Sequence, residues 1–294
     1  MNMHNDGISY RIFTVCNTIL LILLSLLFAY PVLYVLFASL SDSNKLMGHM
    51  GLLLKPLDAN LNSYRAVFKN PMILHGYGNT LFVVVMGLAL SMVLTVLCAY
   101  VLSRKELALR RAFIFYVTFT MFFGGGLIPT YLTVKELGLN GTLWAIIIPG
   151  SLSVYNMIIL RTSFESIPES LVESTMLDGA SHLQILTRII LPLSLPVLMV
   201  IMLYYAVGLW NSWFGAMIYL RDRAKYPLQL ILREILIQND TSSMTRNVGM
   251  EDNASVSVTV QYAVIVVATV PILVIYPFVQ KFFTKGVMIG AVKG

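Results

Sequence analysis

Apolar residues in this chain fall in long unbroken runs, without the alternating or every-third-residue stripes of soluble elements. The clearest extend from Ile12 to Leu40, Thr80 to Leu102, Ala112 to Val134, Leu143 to Leu160, Val197 to Leu220 and Val258 to Phe283. Each is near the ~20 residues that cross a bilayer as a helix. The pattern therefore predicts an all-α membrane protein with six transmembrane helices. Gly124-Gly125-Gly126, Pro129 and Pro149 interrupt the third and fourth runs and leave their ends soft. The three glycines read either as a broken helix end facing a cavity or as a site of close helix packing, the second being favoured. A β-barrel is excluded, because barrel strands alternate in segments of about ten residues.

Between the fourth and fifth runs the pattern changes to short amphipathic pieces. Pro168 suits a helix start, and Ser166 with Glu169 has the spacing of a capping box. The helix is expected to run to about Leu177, with Gly179 supplying the turn. A second helix follows, with Leu183, Ile185, Leu186, Ile189 and Ile190 largely on one face and His182, Gln184 and Arg188 toward water. Pro192 and Pro196 end or kink it. Two short helices meeting at a glycine make an elbow, placed at residues 164–196.

That elbow carries a resemblance. Glu173, then Asp178-Gly179-Ala180, then Ile189-Ile190-Leu191-Pro192 resembles the EAA signature of bacterial ABC importer permeases. Ser174 and Thr175 stand where that signature has two alanines. The segments MFFGGGLIPTYLTVKELGLNGTLWAIIIPG, LWNSWFGAMIYL and FFTKGVMIGAVKG extend the resemblance to carbohydrate-uptake permeases of Gram-positive bacteria, maltose-permease-like, in the group serving complex polysaccharide or aldouronate-type oligosaccharides. The resemblance implies a type I ABC importer permease whose cytoplasmic coupling elbow docks on an ATPase. Glu173, Asp178, Gly179, Ala180, Leu191 and Pro192 would make that contact. It also implies a second, homologous permease subunit forming a heterodimer, two cytosolic ATPase subunits binding ATP and Mg, and an extracellular lipid-anchored binding protein. The cargo implied is an oligosaccharide; a peptide, an amino acid or another solute is the alternative.

Composition agrees with the pattern: 57% of residues are hydrophobic and 12% charged, and mean hydropathy is +0.79, far from the roughly 25% charged residues of soluble domains. The formal charge of +6 comes from Lys and Arg scattered over loops, with no basic stripe or aromatic platform for nucleic acid. Arg104, Lys105, Arg110 and Arg111 crowd the short second loop, which the positive-inside rule places in the cytoplasm. With six spans, both termini and the elbow then share that side. Residues 1–11 are expected to form a cytoplasmic N-terminus leading into a first span too long for a cleaved signal, 12–283 the membrane domain, and 284–294 a cytoplasmic tail.

All fourteen acidic residues fall outside the six runs, so no intramembrane carboxylate is offered as a proton relay. The four histidines, His4, His49, His75 and His182, show no metal-ligand spacing, and Cys16 and Cys98 read as inert core residues. No phosphate-cradling G-x-x-x-x-G-K-[ST] is present, so no nucleotide or other cofactor is expected on this chain. A membrane-embedded enzyme, for example a lipid-linked transferase, is disfavoured on the same grounds. Trp210, Asn211 and Trp213, with Tyr205 earlier in the same run, are the candidates for a substrate pathway: aromatic faces stack on sugar C–H faces and an amide serves hydroxyls. Interface anchoring and helix packing explain the same residues equally well. The loops from Ser41 to Gly78 and from Arg221 to Ser257 are long, as functional or disordered loops are, and the resemblance implies that they receive the binding protein, while Gln238 to Asn253 reads equally as a spacer.

Overall fold

The computed structural model describes the backbone of residues 8–237 and 253–291, and the side chains of residues 10–237 and 258–277. His4, Asp6, Lys293 and nearly all of the Gln238 to Asn253 segment lie outside the described residues, as do the side chains of Lys281 and Lys285. Every regular element among the described residues is helical. In chain order these are α1 (Ile8–Leu40), α2 (Ser43–Met47), α3 (Asn62–Lys69), α4 (Pro71–Ser103), α5 (Arg110–Phe122), α6 (Leu127–Glu136), α7 (Trp144–Ile147) and α8 (Val154–Glu165). There follow α9 (Glu169–Leu177), α10 (His182–Ile185), a π-helical turn (Leu186–Ile190), α11 (Leu191–Leu193), α12 (Leu195–Trp210), α13 (Trp213–Tyr219), α14 (Leu228–Ile237) and α15 (Asn253–Ala291).

Three stretches, Tyr10–Ser39, Pro71–Ser103 and Val258–Pro277, are each long and apolar enough to cross a membrane. Two bent pairs raise the number to five: α5 with α6, at 110°, and His182–Leu193 with α12, at 86°. The fourth predicted run is not one helix. Pro149 offers no N–H and Gly150 favours irregular backbone, so the chain breaks between α7 and α8. The fifth run also breaks, at Asn211 and Ser212. At the glycine triplet the chain bends sharply; among the described residues a Cβ on Gly124 or Gly126 would meet nothing within 4 Å, and one on Gly125 would meet the Pro129 ring at 3.5 Å. α4 begins at Pro71, inside what the pattern assigned to the first loop, and α15 continues to Ala291, beyond the predicted end at Phe283.

The chain divides into two compact units. In the first, residues 1–70 and 235–269, Ala38, Leu46 and Leu53 form a small core with Tyr34, Phe37, Val258 and Tyr262 against it. Ser43 and Thr259 hydroxyls lie 2.6 Å apart, and the Tyr64 hydroxyl lies 2.7 Å from that of Ser39. Most apolar side chains of α1 from Tyr10 to Leu33 remain exposed, Cys16 among them, which corrects its reading as a core residue.

The second unit, residues 71–234 and 270–294, is built on α4, which packs against α8 and α12. Its buried face carries Gly76, Thr80, Gly87, Ser91, Thr95 and Ala99, small residues recurring every four or seven positions. Small side chains let helix axes approach closely where no water is available to drive association. A Cβ on Gly87 would stand 2.8 Å from the Leu209 side chain. The core is dominated by Phe164, Met157, Leu160, Ile185, Ile190 and Ile201, all nearly or fully inaccessible.

Candidate functional site

The elbow forms where the local signals put it, by a different start. Ser166 is still in helical backbone as the cap of α8, and its hydroxyl donates to Ser163 O at 2.8 Å, so the Ser166–Glu169 capping box does not form. Pro168, in extended backbone, precedes the first turn of α9, and its rigid φ and missing N–H explain the boundary. α9 then ends as the spacing predicts. Gly179 has φ +84°, its N–H reaches Met176 O at 3.0 Å, and the Ala180 N–H reaches Thr175 O at 3.1 Å. This is the paired closure of a Schellman turn, which requires a left-handed residue at the glycine position. The reciprocal capping box lies one helix later. Ser181 Oγ accepts from the Gln184 N–H, and Gln184 Oε1 accepts from the Ser181 N–H at 2.8 Å. The S-x-x-Q spacing of Ser181 and Gln184 is the sequence signal for it.

The second arm packs on Ile185, Leu186 and Ile190, while Leu183 is 65% exposed and Ile189 only half-buried, so its apolar face is narrower than predicted. His182 does not simply face water: its Nδ1 lies 3.2 Å from the Tyr100 hydroxyl. Pro192 causes no sharp bend. In a regular helix its ring would press on the carbonyl four residues earlier; here the Leu191 N–H reaches back to Leu186 O in the wider π register. The 86° bend comes at Ser194, before Pro196.

Asp178, Gly179 and Ala180 share a surface hollow of about 250 Å³ with Arg188 and Ile189. Glu173 is exposed and opens instead onto a cleft of about 490 Å³ lined by Arg104, Lys105, Arg110, Glu165 and Glu169. Leu191 is half-buried against the core and Pro192 is exposed. Val172, Met176, Ala180, Ile185 and Ile190 anchor both arms into the main core. Burial of each large apolar side chain contributes roughly 1.5–3 kcal/mol, so the elbow is held stiffly to the helices behind it.

The floor of the larger cleft is an ion network absent from the sequence reading. The Leu102 carbonyl, near the end of α4, accepts from Arg110 Nε at 3.0 Å and from Arg161 Nε at 3.2 Å. Carbonyls of a last helical turn lack intrahelical partners, and cations favour that end. Both guanidinium groups also bind one oxygen of Glu165, Arg161 at 2.8 Å. Lys105 pairs with Glu169, and the hydrogen bond and charge of Glu169 raise the Lys105 pKa above its ordinary 10.5.

The pathway candidates separate. Tyr205 is buried, with its hydroxyl 2.7 Å from Thr95 Oγ1 and accepting the Ser153 N–H at 2.9 Å. Trp210 is buried beside a mostly apolar cavity of about 210 Å³, and its Nε1 has no partner among the described residues. Asn211 donates to Val207 O at 2.9 Å and so closes its own helix. Trp213 stays partly exposed, with the Arg233 guanidinium 5.0 Å from its ring centroid. Among the described residues no group of His, Cys, Asp and Glu is arranged to hold a metal.

Residues 1–289 match the family described as binding-protein-dependent transport system inner membrane component. The polygalacturonan/rhamnogalacturonan transport system permease protein YtcP of Bacillus subtilis is 42% identical over 279 residues, 93% of this chain and 96% of the relative. Protein LplC of the same organism is 39% identical over 292 residues, 99% and 98% of the two chains. Among solved structures, a chain of a bacterial ABC transporter involved in the import of the acidic polysaccharide alginate superposes with a TM-score of 0.86 at 34% identity, covering 94% of this chain and 98% of that one.

Proposed function

Since the chain belongs to the binding-protein-dependent transport system inner membrane components, we propose that it is the permease subunit of an ATP-driven importer that moves an acidic oligosaccharide inward by alternating access. The protein is a transporter permease with the type I ABC permease fold, and not an enzyme. One observation carries the cargo: similarity runs from end to end with a permease named for polygalacturonan and rhamnogalacturonan and with a chain of an alginate importer. Nothing in that similarity favours the peptide or amino-acid alternative.

In this reading the segment from α7 to α8 completes a sixth crossing, broken at Pro149, and both termini face the cytoplasm. The elbow lies on the same side, next to Arg104, Lys105 and Arg110, and its exposed Asp178–Gly179 tip and Glu173 enter a cleft on a cytosolic ATPase. Two such ATPase subunits bind ATP and Mg, a homologous permease completes a heterodimer, and a lipid-anchored binding protein delivers the sugar from outside. The stiff packing of the elbow on Phe164 and Ile190 supports this reading, because a lever must transmit displacement without absorbing it. Trp213, with Asn211 beside it, is the better pathway candidate of the aromatic cluster; Tyr205 is occupied by the protein itself.

Uptake of a labelled galacturonate trisaccharide by cells with and without this chain tests the reading. Uptake should disappear without the chain and return when it is restored, and unchanged uptake would remove the cargo assignment.

A further inference from the structure

At the end of the second unit opposite the elbow there is a pocket that neither the elbow nor the aromatic cluster uses. α4 fixes the two ends. Near its start, the Asn79 amide donates to Ala224 O at 2.8 Å and to Tyr226 O at 3.2 Å, and near its finish Tyr100 meets His182 of the elbow. The stretch of α4 from Asn79 to Tyr100 separates them by roughly 30 Å.

The pocket, about 420 Å³, lies between the last turn of α6, the turn at Asn140 and Gly141, and the chain leaving α13. That size is within the ~300–1,000 Å³ of small-molecule sites. Its construction is specific. α6 closes with a left-handed Gly138 (φ +69°), the Gly141 N–H is held by Tyr219 O at 2.9 Å, and Lys225 Nζ clamps Gly141 O at 2.9 Å. Tyr131 and Tyr219 form one wall, their rings 6.0 Å apart and nearly parallel at 6°. Lys135 and Arg221 line the pocket and have no ion pair or side-chain hydrogen bond among the described residues. Asn140 Oδ1 is buried and also unpartnered there. The single acid, Asp222, is turned to accept the Ala224 N–H at 3.0 Å. Two uncommitted cations, a free acceptor and an aromatic wall match a ring that bears a carboxylate and hydroxyls.

We propose that this pocket is an entry site for one carboxylated sugar unit of the incoming chain, its carboxylate taken by Lys135 and Arg221, a hydroxyl by Asn140 and its ring by the Tyr131–Tyr219 wall. The inference rests on the import reading above and deepens it: it names where the charge of the sugar is recognised, on the side away from the ATPases.

The test uses the full importer, reconstituted in vesicles with its binding protein, and a galacturonate trisaccharide. Lys135→Gln with Arg221→Gln should raise the half-saturating concentration for uptake about tenfold, as loss of a charge-assisted hydrogen bond does. Lys135→Arg and Arg221→Lys should keep most of the affinity, and the thermal midpoint should not move. Saturation-transfer NMR on the importer without binding protein should show contact with the trisaccharide in the wild type and not in the glutamine variant. The carboxyl-reduced trisaccharide should behave alike in both. If instead the glutamine variant loses capture of the binding protein, the cations serve that protein's own carboxylates and the proposal fails. Wild-type uptake matched by the variant also overturns the pocket while leaving the import reading intact; a wild type that imports no trisaccharide overturns both.

Discussion

The Tyr205 hydroxyl accepts the backbone N–H of Ser153 at 2.9 Å, in the gap where Pro149 breaks the path from α7 into α8. The same hydroxyl lies 2.7 Å from Thr95 Oγ1 on α4, so one phenol ties three helices at a point where two of its partners are wholly or partly buried. A backbone N–H freed by a helix break has no water to turn to in such a place, and leaving it unpaired costs about 1–3 kcal/mol. The aromatic ring that composition offered as a sugar platform thus repairs a broken helix.

Replacement of Tyr205 by Phe should therefore lower the stability of the detergent-solubilised protein by about 1–3 kcal/mol and leave the affinity of transport for its sugar nearly unchanged. Thermal unfolding beside uptake kinetics separates the two effects. A large rise in half-saturating concentration at unchanged stability would return Tyr205 to the pathway.

What was legible in the sequence was local. The glycine turn at 179 and the interruptions at Gly124–Gly126 and Pro149 are each set by residues within a turn or two of each other, and propensity acts at that range. The start of α9 is not legible in this way, because Ser166 satisfies the capping spacing while the preceding helix has not yet ended. The Arg110–Glu165–Arg161 network, the Tyr205 bond and the Tyr131–Tyr219 wall join positions far apart in the chain. A single sequence carries no periodic signal for such pairs. Long apolar runs also hide their own interruptions, since Asn211 and Ser212 scarcely lower the hydropathy of the run in which α12 stops.

Glu165 binds Arg110 and Arg161 with side chains only 17–29% exposed. Glu165→Gln keeps the shape and removes the charge, so two guanidinium groups crowd Leu102 O with a single neutral acceptor between them. We expect a loss of roughly 1–3 kcal/mol, read as a lower unfolding midpoint and as earlier proteolysis between α4 and α5. An unchanged midpoint would mean that both arginines find water instead.

Lys105 and Glu169 are far more exposed, at 70% and 43% of their side chains, and salt should screen their pair. The lysine pKa is raised in the folded protein, first by the hydrogen bond to Glu169 and then by its charge. A raised pKa contributes stability that is fully present below the unfolded value of 10.5 and is lost as pH rises through the higher folded value. The difference in midpoint between wild type and Lys105→Gln should be constant from neutral pH to about 9 and should shrink above about 10.5. A difference indifferent to both alkaline pH and high salt would assign the effect to packing of the lysine stem.

Gly179 sits at φ +84° with nothing within 4 Å of the place a Cβ would occupy. Within this chain the penalty of a side chain is therefore one of backbone conformation alone, about 1–2 kcal/mol for an ordinary residue and less for Asn, which tolerates the left-handed region. Stability should fall in the order Gly, Asn, Ala, Val. If capture of the ATPase falls in that same order and no faster, the glycine acts through the turn; if Asn already abolishes capture, the open space above Gly179 is where the ATPase sits.

Glu173 gives the sharpest test of the coupling assignment. It is exposed, it has no ion pair or side-chain hydrogen bond among the described residues, and it opens onto a cleft whose other charges are largely paired with each other. Its removal should not disturb the fold, because Val172 and Met176 anchor α9 without it. On an ATPase surface the same carboxylate would be desolvated beside a cation, and truncating one partner of such a pair costs several kcal/mol against about one or less for an exposed pair. Glu173→Ala should thus reach the membrane, keep its midpoint and its hold on the binding protein, and lose most ATPase capture, with Glu173→Asp intermediate because the shorter side chain reaches less far. Substrate-stimulated ATP hydrolysis in reconstituted vesicles, run beside a pull-down of the ATPase, measures both consequences. Full assembly with full stimulation in Glu173→Ala would remove Glu173 from the coupling contact and leave that role to the Asp178–Gly179 tip.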